Sequence, residues 1–185
     1  MSILNKCRIA VLDTETTGLL KPEAMPFEAQ PRIIELGIVI VENGKKLSEY
    51  NWLINPGNLP LPAEITKITG IKTEDLVDMP SFKSLLPAIK SAIGQCSVMI
   101  CHNAPFDTGM LRHDLLRAEC DDFPWPEKII CSVQEYTSRF GYRPSMKKLY
   151  EGIIGRPLAQ THRALDDASA LFEILDKDGF FKLLE

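Results

Sequence analysis

A short apolar strand near the start of the sequence ends in two acidic residues. Residues 8–13 (R-I-A-V-L-D) have the composition of a buried strand, and residues 13–18 continue as D-T-E-T-T-G. Side chains at i and i+2 of a strand point to the same face, so Asp13 and Glu15 share a face with apolar Val11. Two carboxylates on one buried face repel each other and lose hydration. The fold must therefore bring positive charge to this point.

Turn signals and hydrophobic periodicity divide the rest of the chain into strands and helices. Further strands are predicted over 32–42, 46–54, 98–101 and 129–131, with Asn43-Gly44 as a hairpin turn. Helices are predicted over 62–69, 81–93, 105–118, 132–140, 144–152 and 164–177. Three adjacent strands followed by alternating helices and strands predict an α/β fold, a mixed sheet with helices on both faces. The length of 185 residues suits a single domain over 1–185.

Two predicted helices carry further acids towards the core. On helix 105–118, Asp107 lies within about 40° of the apolar residue Leu111. The favourable helix dipole explains an acid in the first turn, but not its inward face. On the last helix, Asp166 points about 160° from the apolar stripe and Asp167 about 100°, which places Asp167 at the edge of the core.

A histidine precedes the last helix. Inside that helix, His162 and Asp167 would diverge by about 140°, so a shared site requires His162 to lie in the loop before it. A lone histidine commonly has a surface or structural role, which is the alternative here. The buried acids on the other elements need polar partners, and this favours a role for His162 in the same site.

The acids Asp13, Glu15, Asp107 and Asp167 come from three separate elements and need cations. Oxygen ligands without cysteine suit Mg²⁺ or Mn²⁺, and acids that hold two such ions are typical of phosphoryl chemistry. A neighbouring imidazole, that of His162, can take the proton of the attacking water. A zinc site at Cys96, Cys101 and His102 is the alternative, but its spacing fits no common zinc pattern.

Charge and cysteine content narrow the class of protein. A net charge of −4 argues against coating nucleic acid by bulk electrostatics, but not against gripping one chain end through metal ions. Residues 136–163 contain six basic residues but only one acid, Glu151, which predicts either a solvated helical face or a track that binds phosphates. Five cysteines without a Cys-x-x-Cys pair, no signal peptide and no membrane span predict a cytoplasmic protein.

Three segments resemble a known family. D-T-E-T-T-G at 13–18, H-N-A-P-F-D at 102–107 and H-R-A-L-D-D-A at 162–168 resemble the three motifs of the DEDDh exonucleases, and within them the DnaQ group of 3′→5′ proofreading enzymes. R-I-I-E-L-G at 32–37 and I-T-G-I at 68–71 also resemble family segments. The resemblance implies an RNase H-like fold around a five-stranded mixed sheet. It also implies that the four acids bind two metal ions and that His162 is the general base.

The same resemblance implies contacts with the substrate. Family contacts map onto Thr14, Thr16, Leu19, His102, Asn103 and Phe106. Leu19 and Phe106 would flank the terminal base. The alternative for these two side chains is ordinary packing in the core.

The expected activity is 3′→5′ hydrolysis of DNA to nucleoside 5′-monophosphates. DNA is favoured because Thr14 and Thr16 flank the motif's glutamate, where oligoribonuclease-type relatives tend to carry Leu and Met. The alternatives are an RNA 3′-exonuclease of the RNase T or oligoribonuclease type, and a subunit that docks a polymerase or effector. Docking would use the long loop 19–31 or the apolar tail 180–184, and the oligomeric state stays open.

Overall fold

The protein is described by a computed structural model over residues 8–57, 59–159 and 161–184. The strands are β1 (Arg8–Thr16), β2 (Ile33–Glu42), β3 (Lys45–Leu53), β4 (Val98–Cys101) and β5 (Lys128–Cys131). The helices are α1 (Ala63–Thr69), α2 (Thr73–Leu76), α3 (Phe82–Ile93), α4 (Ala104–Arg117), α5 (Ser132–Phe140), α6 (Met146–Ile154) and α7 (Ala164–Lys177). Short 3₁₀ helices occupy Phe27–Ala29 and Phe180–Leu183.

The strands form one mixed sheet in the order β3-β2-β1-β4-β5. β1 pairs antiparallel with β2 and parallel with β4, so it lies at the centre of the sheet. The turn between β2 and β3 has positive φ angles at Asn43 (53°) and Gly44 (68°), which confirms the predicted Asn-Gly hairpin. The predicted five-stranded mixed sheet is confirmed.

Apolar side chains cover both faces of the sheet. Ala10 and Leu12 of β1 pack into a core with residues of α3 and α4. Ile9 and Val11 pack into a second core with residues of α6 and α7. Because side chains alternate along a strand, odd-numbered residues at the end of β1 face α7 and even-numbered residues face α4.

β1 is three residues longer than predicted. Thr14 pairs with Leu36 and Glu15 with Glu35, so the antiparallel ladder continues through the polar end of the strand. A register shift between Glu15 and Thr16 then ends the regular pairing. Bulges of this kind redirect side chains and are common beside active sites.

The two segments considered for docking both pack on the protein itself. In the loop 19–31, the side-chain amide of Gln30 bonds the backbone N–H and C=O of Lys21 at 3.0 and 3.1 Å. The ring of Phe27 lies under the guanidinium of Arg117 on α4, 4.8 Å from its carbon. In the tail, Phe180 and Phe181 are 7% and 3% exposed and belong to the α6–α7 core.

None of the helices in the described part of the chain has both the length and the apolar composition of a membrane span.

Candidate active site

Asp13 and Glu15 lie at the end of the central strand, on the face covered by α7. Asp13 sits opposite Gly37 and Glu15 opposite Glu35 on β2. Burial, followed by the charges of Asp107, Asp167 and Glu15, raises the pKa of Asp13 well above its usual range. Burial, followed by the charges of Asp167 and Glu35, raises the pKa of Glu15 to about 8. Ionisation of both carboxyl groups is therefore unfavourable, as their position on one buried strand face predicts.

Asp107 approaches the same point from the first turn of α4. It is 2% exposed, and its Oδ1 accepts a hydrogen bond from Thr14 Oγ1 at 2.8 Å. Burial raises the pKa of Asp107 to about 7, although the Thr14 hydrogen bond opposes that shift. The inward face agrees with the helix geometry. Thr14 is itself buried and supports Asp107, so its contact with substrate stays a prediction.

The start of α7 supplies two more groups. Asp167 is 7% exposed, whereas Asp166 is exposed and accepts a hydrogen bond from Thr161 at 2.6 Å, as the helix geometry predicts. His162 lies in the loop before α7 with φ of 50°, a left-handed conformation that L residues rarely adopt. Atoms able to bind metal on Glu15, His162 and Asp167 all lie within 4.8 Å of one another.

A buried glutamate on β2 anchors this part of the site, and sequence reasoning gave it no role. Glu35 is 0% exposed and accepts hydrogen bonds from Arg163 Nε and Nη2 at 2.6–3.1 Å. It also accepts from the Ala164 N–H at 3.0 Å and from Asn51 Nδ2 at 2.9 Å. The residue before Arg163 is His162, so Glu35 holds the segment that carries it. An acid inside the apolar run of residues 33–41 was the available signal.

The backbone of α7 also lies directly on β2. A Cβ atom added to Gly37 would fall 2.3 Å from the Ala164 carbonyl carbon and 2.3 Å from the Leu165 nitrogen. Only glycine permits this approach, which brings the start of α7 against the strand opposite Asp13.

The donor set fits hard divalent cations. Three carboxyl groups have raised pKa values, although the positive charge of Arg163 partly lowers the pKa of Glu15. Carboxylate oxygens with one imidazole match the ligand preference of Mg²⁺ and Mn²⁺. Among the residues that the structure describes, the metal-ligand group contains neither Cys96, Cys101 nor His102, so the alternative zinc site has no support.

The predicted substrate residues lie on the segments that carry these acids, beyond Glu15 at the end of β1 and around the start of α4. Leu19 is 79% exposed beyond the end of β1, and Thr16 Oγ1 donates to the Gly18 carbonyl at 2.7 Å. His102 Nδ1 lies 3.0 Å from Ser132 Oγ. Burial, followed by the charge of Arg143, lowers the pKa of His102 to about 4, so this imidazole is neutral near pH 7.

Asn103 and Phe106 lie where α4 begins. Asn103 precedes the helix with φ of 76°, and its Oδ1 accepts a hydrogen bond from Arg143 Nη2 at 3.1 Å. Phe106 is half-buried and packs against the core on the α3–α4 side. Phe106 therefore makes the core contacts that are the alternative to contact with a base, and its contact with a base stays a prediction.

The predicted phosphate track is only partly available. Arg139 pairs with Asp178, Arg156 with Glu173 and Arg163 with Glu35. These three cations are already paired with carboxylates of the protein itself. Within the described residues, Arg143, Lys147 and Lys148 are exposed and form no ion pair, so they are the cations of the run that remain unpaired.

Comparison with known proteins places the chain in a family. The RNase T family model, described as an exonuclease, matches residues 10–175. DNA polymerase III subunit epsilon of Rickettsia prowazekii is 33% identical over 177 residues, covering 92% of this chain and 73% of that protein. A Mycobacterium tuberculosis protein, provisionally named as a bifunctional exonuclease/endonuclease, is 33% identical over 93% of this chain, but the chain spans only 26% of it.

A solved structure has the same fold. The nuclease domain of 3′hExo, a DEDDh family member bound to rAMP, superposes with a TM-score of 0.77 at 17% identity. The alignment covers 95% of this chain and 93% of that domain. The RNase H-like architecture implied by the motifs is thereby confirmed. The chain belongs to the RNase T exonuclease family, in its DnaQ-like DEDDh group of 3′→5′ exonucleases.

Proposed function

We propose that the chain is a divalent-metal-dependent exonuclease that releases nucleoside 5′-monophosphates from the 3′ end of DNA. The observation that carries the proposal is the meeting of Asp13, Glu15, Asp107 and Asp167 beside His162 at the end of β1. The relatives named as DNA polymerase III proteins support DNA. An RNA 3′-exonuclease is the alternative, since the 3′hExo domain of the same fold was solved with rAMP.

The four carboxylates would hold two divalent ions, either Mg²⁺ or Mn²⁺. Such ions, when bound, activate the attacking water and stabilise the leaving oxygen of an in-line displacement. Asp13 would be shared by both ions, since it lies among the other three acids: the charges of Asp107, Asp167 and Glu15 all raise its pKa. Thr14 keeps the Asp107 carboxylate oriented through its 2.8 Å hydrogen bond.

His162 acts as the general base. Its backbone conformation holds it outside α7, with its ring within 4.8 Å of the Glu15 and Asp167 carboxylates. A neutral imidazole at this point accepts the proton of the attacking water, a contribution typically worth about 10²–10⁴-fold in rate. Glu35 keeps His162 in place through its bonds to Arg163 and the Ala164 N–H.

The terminal nucleotide lies between the C-terminal end of β1 and the first turn of α4. Exposed Leu19 contacts the base from the β1 side, with Thr16 beside it. His102, Asn103 and Phe106 contact the nucleotide from the α4 side. Apolar and aromatic contacts of this kind accept any base, which suits an enzyme that degrades without sequence preference.

The test is a degradation assay on 5′-labelled single-stranded DNA and RNA of one sequence, with Mg²⁺ or Mn²⁺. Wild type should produce a ladder of shortened products, faster on DNA. Asp13→Asn and Asp167→Asn should abolish the ladder, and His162→Ala should slow it about 10²–10⁴-fold. Asp166→Asn is the matched control, because Asp166 neighbours Asp167 but is exposed. Full-rate laddering by Asp13→Asn, or equal loss in Asp166→Asn, would refute the assignment.

Association with a DNA polymerase is a further part of the proposal. It is supported by the similarity to the epsilon subunit and to PolC-type polymerase of Clostridium perfringens, of which the chain spans 11%. The tail is a poor docking element, because Phe180 and Phe181 are buried in the chain's own core. Co-purification with a replicative polymerase should therefore survive Leu183→Ala, since Leu183 is the exposed apolar residue of the tail.

A further inference from the structure

Three aromatic rings form a stack that runs from the core to the surface at the end of α5. The Tyr136 and Phe140 ring centroids are 5.7 Å apart with an interplanar angle of 21°. The Phe140 and Tyr142 centroids are 6.1 Å apart with an angle of 23°. Exposure rises along the stack, from 0% for Tyr136 to 43% for Phe140 and 53% for Tyr142. Tyr142 is thus the outer ring, and in the described part of the chain its only ring partner is Phe140.

The outer end of the stack lies beside the candidate active site. Arg143 follows Tyr142, and its Nη2 donates to Asn103 Oδ1 at 3.1 Å. Asn103 precedes α4, and Asp107 follows it by one turn, about 6 Å along the helix axis. Arg143 also contributes to the low pKa of His102, which places its charge close to that imidazole. A nucleotide chain that leaves the metal cluster along this side would therefore meet Arg143 and Tyr142.

The charges around Tyr142 are free to bind an anion. Arg143 has no carboxylate within ion-pair distance in the described part of the chain, and the same holds for exposed Lys147. By contrast, Arg139, which lies over the Tyr136 and Phe140 rings, is held by Asp178. Unpaired positive charge is therefore concentrated immediately after the exposed ring.

An exposed ring followed by free cations is the chemistry that holds single-stranded nucleic acid. Bases of a single strand stack on aromatic side chains while its phosphates meet Lys and Arg. In a duplex the base faces are already covered by their neighbours. We infer that Tyr142 and Arg143 bind the single-stranded segment upstream of the 3′-terminal nucleotide, with a base stacked on Tyr142 and a phosphate on Arg143. The inference rests on the proposed exonuclease function.

The experiment compares two substrates. One is a single-stranded DNA 20-mer, and the other is the p-nitrophenyl ester of thymidine 5′-monophosphate, which has no upstream nucleotide. The measured quantity is the ratio of kcat/KM on the 20-mer to kcat/KM on the ester. Tyr142→Ala should lower this ratio about 5- to 100-fold, while Tyr142→Phe, which keeps the ring, should restore most of it. Leu116→Ala, at a 62% exposed position of α4, is the surface control and should leave the ratio within twofold.

A substrate change identifies the base that stacks on the ring. Abasic residues are placed singly at the second, third and fourth positions from the 3′ end of the 20-mer. For wild type, one of these positions should raise KM by the same factor as Tyr142→Ala. In Tyr142→Ala, the same abasic residue should cause no further increase in KM.

Several results would overturn the inference. One is an unchanged kcat/KM ratio in Tyr142→Ala, and another is an equal loss of kcat/KM on the ester and on the 20-mer. A third is an increase in KM from the abasic residue that adds in full to the increase caused by Tyr142→Ala. Failure of wild type to hydrolyse either substrate would instead contradict the proposed function. In that case, binding of the fluorescent 20-mer in EDTA still decides the inference, and equal Kd values for wild type and Tyr142→Ala would overturn it. A polymerase contact that is lost in Tyr142→Ala without any change in Kd would assign the surface to a protein partner and also overturn it.

Discussion

Replacement of Glu35 by alanine tests whether one buried carboxylate holds the start of α7. The substitution removes a side chain that is 0% exposed and accepts five hydrogen bonds, from Arg163, Ala164 and Asn51. Loss of one partner from a buried ion pair costs about 3–5 kcal/mol. Because the Arg163 side chain is 38% exposed, water can reach it, so we expect the lower end of that range.

Urea denaturation of the metal-free protein measures this loss. With a slope of about 2 kcal/mol/M, a cost of about 3 kcal/mol lowers the unfolding midpoint by about 1.5 M. Glu49→Ala on the neighbouring strand is the matched control, since Glu49 is exposed and pairs with Lys46 at 2.6 Å. An exposed pair of this kind contributes under about 1 kcal/mol. Glu35→Gln keeps the volume and one acceptor oxygen, so its midpoint should lie between those of wild type and Glu35→Ala.

A local measurement separates a general loss of stability from release of α7. In Glu35→Ala, amide hydrogen exchange should accelerate most at Ala164 and the next residues of the helix, where the carboxylate bond is lost. A midpoint shift no larger than that of Glu49→Ala would refute the reasoning. Uniform acceleration over the whole sheet would refute the claim that the effect is centred on α7.

Two further predictions concern the acid cluster and the strand under it. In the folded state, the pKa values of Glu15 (about 8) and Asp107 (about 7) are raised. The contribution of these two groups to folding stability is therefore fully present below their unfolded-state pKa values, and it is lost as the pH rises to 7 and 8. In EDTA the Tm should therefore fall between pH 5.5 and 8.5, and Mn²⁺ should raise it more at pH 8.5; a metal effect independent of pH would contradict this. Gly37→Ala should cost about 3 kcal/mol in urea denaturation, because its Cβ would lie 2.3 Å from the Ala164 backbone. Gly152→Ala, with no atom within 4 Å of the new Cβ, should be neutral or stabilising by up to about 1 kcal/mol, and equal losses for the two variants would refute the steric explanation.

Residues whose placement follows from a regular repeat could be predicted from the sequence. The period of two in β1 puts Asp13 and Glu15 on one face, and the step of about 100° per residue in α7 separates Asp167 from Asp166. Both expectations concern one element at a time. The position of His162 before α7 followed from the same arithmetic, because inclusion in the helix would have turned it away.

Residues whose placement depends on two distant segments could not be predicted. Glu35 and Arg163 are 128 positions apart, and neither periodicity nor propensity relates them. The left-handed backbone of His162 likewise lies where the chain enters α7, which packs closely on β2, and no sequence period specifies it. The same limit applies to the basic residues of 136–163. The sequence shows them as one group, and only the folded chain shows that Arg139 and Arg156 form ion pairs while others remain unpaired.

The site compensates its negative charges in two different ways. Glu35 lies directly opposite Glu15, and like charges in a cross-strand pair are destabilising. The protein neutralises Glu35 permanently with Arg163, whose planar guanidinium bonds both carboxylate oxygens. A second guanidinium placed among Asp13, Glu15, Asp107 and Asp167 would offset only part of their charge, and it would occupy the space that the proposed divalent ions need. Burial without a neutralising cation raises the pKa values of Asp13, Glu15 and Asp107, and this is the state that we expect of a cluster kept open for the proposed ions.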